Sequence, residues 1–118
     1  MSPTTLRKVM PFKASFANVA PAGVPVRVPV HPGCFLQRHY LGPLRISQSD
    51  AARLLGMSRR RLHEIVHGQR AVTPDTAVRC ALVFGTDASF WLALQASWDS
   101  FHAWKSLRVQ ARRRADPH

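Results

Sequence analysis

Three features of the sequence predict an all-α fold, with five helices set behind an extended, proline-rich basic arm. From His31 onward the apolar residues recur at spacings of three and four, the helical period, with no convincing alternation in twos. Helix starts and stops punctuate the same stretch, with Pro32, Ser47, Ser58 and Thr73-Pro74 opening segments and Gly42-Pro43, Gly56, Gly68 and Gly85 closing them. Before it, prolines at 3, 11, 21, 25 and 29 fix the backbone torsion and remove donors, so neither helix nor sheet ladder can propagate.

Each element follows from its own residues. Residues 1–30 carry Arg7, Lys8, Lys13 and Arg27 with no acid, and read as a disordered or extended basic arm. Prolines and Lys13 interrupt any secretory signal, although an acid-poor start also suits an organellar transit peptide. The first helix opens at Pro32-Gly33, places Phe35, Leu36, His39 and Tyr40 at helical spacing, and ends at Gly42-Pro43. Ser47 is an N-cap signal and Asp50 can return a hydrogen bond to it, so the second helix runs from Gln48 to Leu55 with Ala51, Ala52, Leu54 and Leu55 inward. Ser58 caps a third helix, Arg59 to His67, which buries Leu62, Ile65 and Val66. Thr73 caps a fourth, with Pro74 in its first turn and Asp75 against the helix dipole, running to Phe84. Thr86 or Asp87 starts a long fifth helix whose stripe of Phe90, Trp91, Leu94, Trp98, Phe101 and Trp104 faces one side. The folded domain therefore spans 31–110, and 111–118 is a polar tail that frays from Arg112.

Composition bounds the function. The chain has 118 residues, enough for one domain, and with 46% hydrophobic residues it can bury a core. No apolar run approaches the roughly 18 residues of a membrane span. Seventeen Lys and Arg against six Asp and Glu give a net charge of +11, which calls for a polyanionic partner, nucleic acid first and an acidic membrane surface second. Arginine enrichment from a genome rich in G and C is the blander source of that charge. The first acid in the chain is Asp50. By segment the charge is +4 in the arm, +5 over 31–86 (eight cations, three acids) and +2 over 87–118 (five cations, three acids). The arm's share is blind to sequence and should add salt-sensitive, non-specific affinity. Cys34 and Cys80 form no CxxC pair, so a reduced, cytoplasmic setting with two small apolar core residues is the economical reading.

The stretch from Ser47 to Gly68 carries the chemistry. Two short helices meet at a tight turn, where Ala52 admits close packing, Gly56 accepts the turn backbone, and Leu55, Leu62, Ile65 and Val66 form the shared core. The second helix then exposes Arg59, Arg60, Arg61, His63 and Glu64, long polar side chains able to reach base edges in a major groove. Arg70, just beyond, joins them as a candidate DNA contact. Trp98, Phe101 and Trp104 exceed what the core needs and mark a candidate dimer or partner surface. The histidines at 31, 39 and 102 form no constellation.

Residues 46–70 resemble the helix-turn-helix of phage-repressor-type (XRE) regulators. The wider span, with His31-Pro32-Gly33, Val72-Thr73-Pro74-Asp75-Thr76-Ala77 and the block from Gly85 to Gln95, resembles the HigA-type antitoxins within that family over about residues 31–104. The resemblance implies a lambda-repressor-like fold and a homodimer on a palindromic operator overlapping its own promoter. It also implies a small RNA-cleaving toxin as partner. It further implies that Gln48 and Ser58 clamp phosphates while Arg59, Arg60 and Glu64 face bases. The sequence departs from the pattern at His67, where Asn is usual, at Cys34, where Glu is usual, and in being more basic than most antitoxins. A stand-alone regulator without a toxin is the alternative within the family.

A second motif overlaps the same helix. His63-Glu64-Ile65-Val66-His67 matches HExxH, in which paired histidines bind zinc and the glutamate activates water, so a small zinc hydrolase is the alternative of another class. Its extended form would need Gly and His where Arg70 and Thr73 stand, and Glu64 is the sole glutamate. Arg59, Arg60, Arg61 and Arg70 would also repel a divalent ion. The expectation is a non-enzymatic DNA-binding protein without metal or cofactor.

Overall fold

The computed structural model describes residues 19–115; the start of the basic arm (1–18) and the last three residues of the tail lie outside it. Five helices and no strand occur among the described residues. The first, α1, begins as an α-helix over Pro32–Leu36 and widens into a π-turn over Gln37–Leu41. Then follow α2 (Gln48–Leu55), α3 (Arg59–Val66), α4 (Pro74–Phe84) and α5 (Ala88–Ala115).

The starts are those the cap residues dictate. The hydroxyls of Ser47 and Ser58 accept from the amides of Asp50 and Arg61, both at 3.1 Å, and Thr73 accepts from Thr76 at 3.4 Å. Asp50 does not complete the expected reciprocal cap; its short side chain pairs with Arg53 one turn on. Gly56 and Gly85 end α2 and α4 in left-handed conformation, φ +66° and +71°, which a side chain would strain.

Leu36, Leu41, Ala51, Ala52, Leu55, Leu62, Ile65, Val66, Val72, Ala77, Cys80 and Trp91 make one core, roofed by α5. Three expectations change. Leu54 faces outward, 56% exposed, because Ala51, Ala52 and Leu55 already fill the narrow inner face of an eight-residue helix. Cys34 is only half-buried, its thiol 3.6 Å from the Val66 carbonyl, whereas burial pushes the Cys80 thiol up to about 11. The chain remains helical past Arg112 to Ala115, where three arginines in the last turn suit the negative end of the helix dipole.

The histidine at 31 is the largest surprise. It is buried, caps α1 by accepting from the Gly33 amide at 3.0 Å, and meets the Trp98 ring edge-on, with centroids 5.1 Å apart. His102 covers Trp98 from another side at 4.2 Å. Burial holds the His31 pKa below the ordinary histidine value, against the opposing pull of Asp99. Gly33 touches α3 itself, since a Cβ there would lie 1.7 Å from the Ile65 carbonyl oxygen. The His-Pro-Gly start therefore combines a cap, a first-turn proline and a glycine at a backbone contact.

Candidate nucleic-acid interface

The α2–α3 unit is fixed from behind by polar side chains of α4 and α5. Arg79 donates to the carbonyls of Leu55 and Gly56, each at 3.0 Å, gripping the turn between the two helices. The same guanidinium donates to Asp75 at 2.8 Å, and Asp75 also accepts from Arg61 at 2.9 Å. Those hydrogen bonds, from Arg79 first and then Arg61, hold the Asp75 carboxyl below its ordinary range. Behind α3, Gln95 accepts from the buried Val72 amide at 2.7 Å and donates to Asp99 at 2.9 Å. Leaving that amide unpaired would carry its full desolvation cost.

The outer face of α3 is then presented as a unit. Arg59, Arg60 and His63 are exposed, and the Gln48 amide oxygen on α2 lies 3.2 Å from Nδ1 of His63. Among the described residues the exposed Arg59 side chain has no hydrogen-bond or ion-pair partner. Arg60 touches Glu64 only at 3.3 Å and keeps 89% of its side chain exposed. Glu64 is held more firmly by Arg70 at 2.8 Å, and these contacts, Arg70's first, keep its carboxyl below the usual range and ionised. The Ser58 oxygen caps α3, yet its O–H can still donate to an anion.

Not every residue expected here belongs to the group. Arg61 is turned back on α4, donating to Asp75 and to the Thr76 hydroxyl at 2.9 Å, with its side chain 28% exposed. Trp98 lies between His31 and His102. Phe101 and Trp104 line an open groove whose other wall is Val19, Ala20, Pro25 and Val26 of the arm.

The histidines of the HExxH segment have rings 4.1 Å apart, but Nδ1 of His67 is engaged by the His63 carbonyl at 2.7 Å and Glu64 sits between arginines. Among the described residues no three His, Cys, Asp or Glu side chains converge as a metal site. No helix among them is long and apolar enough to cross a membrane.

Sequence reasoning passed over the residues that position the motif: His31, Arg79, Asp75 as an arginine clamp, and Gln95. A Pro-Gly at a helix start after histidine is the one available signal for the first; the i,i+4 pairs Asp75–Arg79 and Gln95–Asp99 are legible locally, but the contacts that brace the motif are not, because those partners lie 14 to 24 residues away.

A helix-turn-helix family model matches residues 38–91. The chain is 42% identical to virulence-associated protein I of Dichelobacter nodosus over 79 residues, covering 67% of this chain and 73% of that protein. Two solved structures share the fold closely. Antitoxin HigA of Pseudomonas aeruginosa, solved with the higBA promoter, has a TM-score of 0.67 at 32% identity, covering 75% of this chain and 97% of that one. An addiction-module antidote protein of the HigA family from Coxiella burnetii has a TM-score of 0.66 at 33% identity, covering 78% and 100%.

Proposed function

The chain belongs to the XRE-type helix-turn-helix family, and from that premise we propose that it is a sequence-specific DNA-binding antitoxin that represses its own promoter within a HigBA-type module. One observation carries the reading: Arg59, Arg60 and His63 stand exposed together on α3, with Gln48 at the start of α2 against His63. Arg59 and Arg60 offer bidentate donors to guanine O6 and N7, each good pair giving roughly 1–3 kcal/mol of discrimination. Gln48, engaged with His63 through its oxygen, keeps amide hydrogens for a phosphate, and the Ser58 hydroxyl donates to another. Arg70 adds a rim contact. Glu64 orients Arg60 and Arg70, and Arg61 anchors the motif to α4 instead of reading bases. Two copies bind a palindrome with half-sites about one helical turn apart, near 34 Å. The protein acts by binding, in the cytoplasm, without cofactor, and a small RNA-cleaving toxin is its protein partner.

The test compares Arg60→Ala and Gln48→Ala on the DNA upstream of the chain's own coding region and on random duplex. Arg60→Ala should lose its preference for the upstream DNA, whereas Gln48→Ala should weaken both duplexes alike. Equal losses from the two variants on both duplexes would overturn the assignment. The antitoxin half is tested by coexpression with the adjacent small reading frame. Growth arrest by that frame, relieved by this chain, is expected, and no arrest would leave a stand-alone regulator.

A further inference from the structure

We infer that His63 and His67 form a site for a divalent transition-metal ion such as zinc on the outer face of α3, and that an ion held there interferes with the reading of bases. Of the six histidines in the chain, this pair alone stands one helical turn apart. That spacing brings two side chains to the same side of a helix. Both are exposed, and their rings lie 4.1 Å apart between centroids at a tilt of 35°.

The hydrogen bonds of the two rings set the chemistry. A carbonyl oxygen only accepts, so Nδ1 of His67, 2.7 Å from the His63 carbonyl, carries the proton. The Gln48 amide oxygen, 3.2 Å from Nδ1 of His63, selects the same tautomer there. Each ring therefore keeps a lone pair on Nε2, and neither Nε2 has a partner among the described residues. A histidine whose other N–H donates to an oxygen acceptor is the usual form of a metal ligand, oriented and made more basic by that bond. Two zinc bonds of about 2.0–2.1 Å at a tetrahedral angle hold their nitrogens about 3.3 Å apart, comparable with the present ring separation. Water completes the shell, so the pair binds an ion without building the three-ligand centre of a hydrolase.

The neighbouring arginines oppose a cation less than their number suggests. Glu64 pairs with Arg60 and Arg70, and Asp75 takes Arg61. Arg59 is exposed, where water and salt screen its repulsion. Because His63 belongs to the group proposed to meet DNA, the effect on base reading rests on that proposal. The charge of the ion is felt by any duplex, whereas its bulk on α3 disturbs the fit to base edges, so zinc should lower preference among sequences.

Calorimetric titration of zinc chloride into the untagged, full-length protein decides the site. Wild type should bind zinc stoichiometrically. His67→Ala should bind roughly tenfold or more weakly, since losing a ligand costs at least as much as losing one of its outer-shell partners. His39→Gln, which alters an exposed histidine packed on Phe35, should bind as wild type does. Circular dichroism should show unchanged helicity in both variants, and in wild type the imidazole NMR signals of His63 and His67 should shift together as zinc is added. Zinc should also reduce the wild-type preference for the upstream DNA over random duplex several-fold and leave that of His67→Ala unchanged. No zinc binding by wild type, equal binding by wild type and His67→Ala, imidazole signals of this pair that stay in place, or an unaltered preference in zinc-loaded wild type overturns the inference. A wild type with no preference in metal-free buffer defeats the DNA reading instead, and the titration still decides the site.

Discussion

Replacing Gly33 with alanine should be the most damaging single-methyl change in the domain. The added Cβ would sit 1.7 Å from the Ile65 carbonyl oxygen and 2.4 Å from its carbonyl carbon, where real Cβ atoms essentially never come within 3.0 Å. The obstacle is backbone, so no rotamer change relieves it, and α1 and α3 must separate by at least 1.3 Å, the difference between 3.0 and 1.7 Å. A gap of about 0.5–1 Å already forfeits a quarter to a half of the dispersion attraction across it. The seam that opens is lined by Leu36 on one helix and Leu62, Ile65 and Val66 on the other, all buried. Overpacking commonly costs about 1–3 kcal/mol, and a rigid backbone collision between two core helices belongs at the upper end. With about 4–8 °C of melting temperature per kcal/mol for a domain of this size, Gly33→Ala should melt at least ~10 °C below wild type. Thermal unfolding followed by circular dichroism measures this, with Gly42→Ala as control, since its nearest contact is a looser 3.1 Å at ordinary helical φ. Melting of Gly33→Ala within about 3 °C of wild type would refute the role given to the His-Pro-Gly start.

Two further outcomes follow from charge. Because burial lowers the folded-state pKa of His31, the unfolded chain binds its proton more readily, so this group's contribution to stability is full at neutral pH and declines as pH falls through the ordinary histidine value of about 6.5. Urea midpoints should drop between about pH 7.5 and pH 5.5 in wild type and drop less in His31→Asn, which keeps a capping oxygen; identical pH slopes would exclude this group. Glu64→Gln should release Arg60 and Arg70 to phosphates, raising affinity for random duplex and steepening the log–log salt dependence by about 0.9 for each phosphate gained. An unchanged slope would show that Glu64 does not restrain them.

What the sequence made legible is local. Caps at Ser47, Ser58 and Thr73, and the glycines that stop α2 and α4, work through amides three or four residues away, so their signatures lie within one helical turn of text. The long-range supports were not legible. Arg79 is one arginine among many until its guanidinium is seen on the α2–α3 turn, and a lone histidine at 31 looks like any other until Trp98 closes over it. Leu54 failed for a related reason: helical spacing places it near the inner face, but the width of that face is set by α3 and α4, not by α2.

The acids of the folded region explain which arginines remain for DNA. Asp75 draws two guanidiniums, Arg61 and Arg79, into the joint between the motif and α4, where they serve as rigid struts. Glu64 holds Arg70 firmly and Arg60 loosely, and Asp50 pairs with Arg53 on α2. Arg59 is left over, so the least restrained cations of the motif, Arg59 and Arg60, fall in the first turn of α3, the end that enters a major groove. An exposed arginine held at 3.3 Å loses little when it trades a carboxylate for a base edge, because exposed ion pairs contribute only about 0–1 kcal/mol. Arg61 would have to abandon a carboxylate and a hydroxyl together. The net charge of the chain attracts DNA at a distance; the placement of three carboxylates decides which arginines can read it.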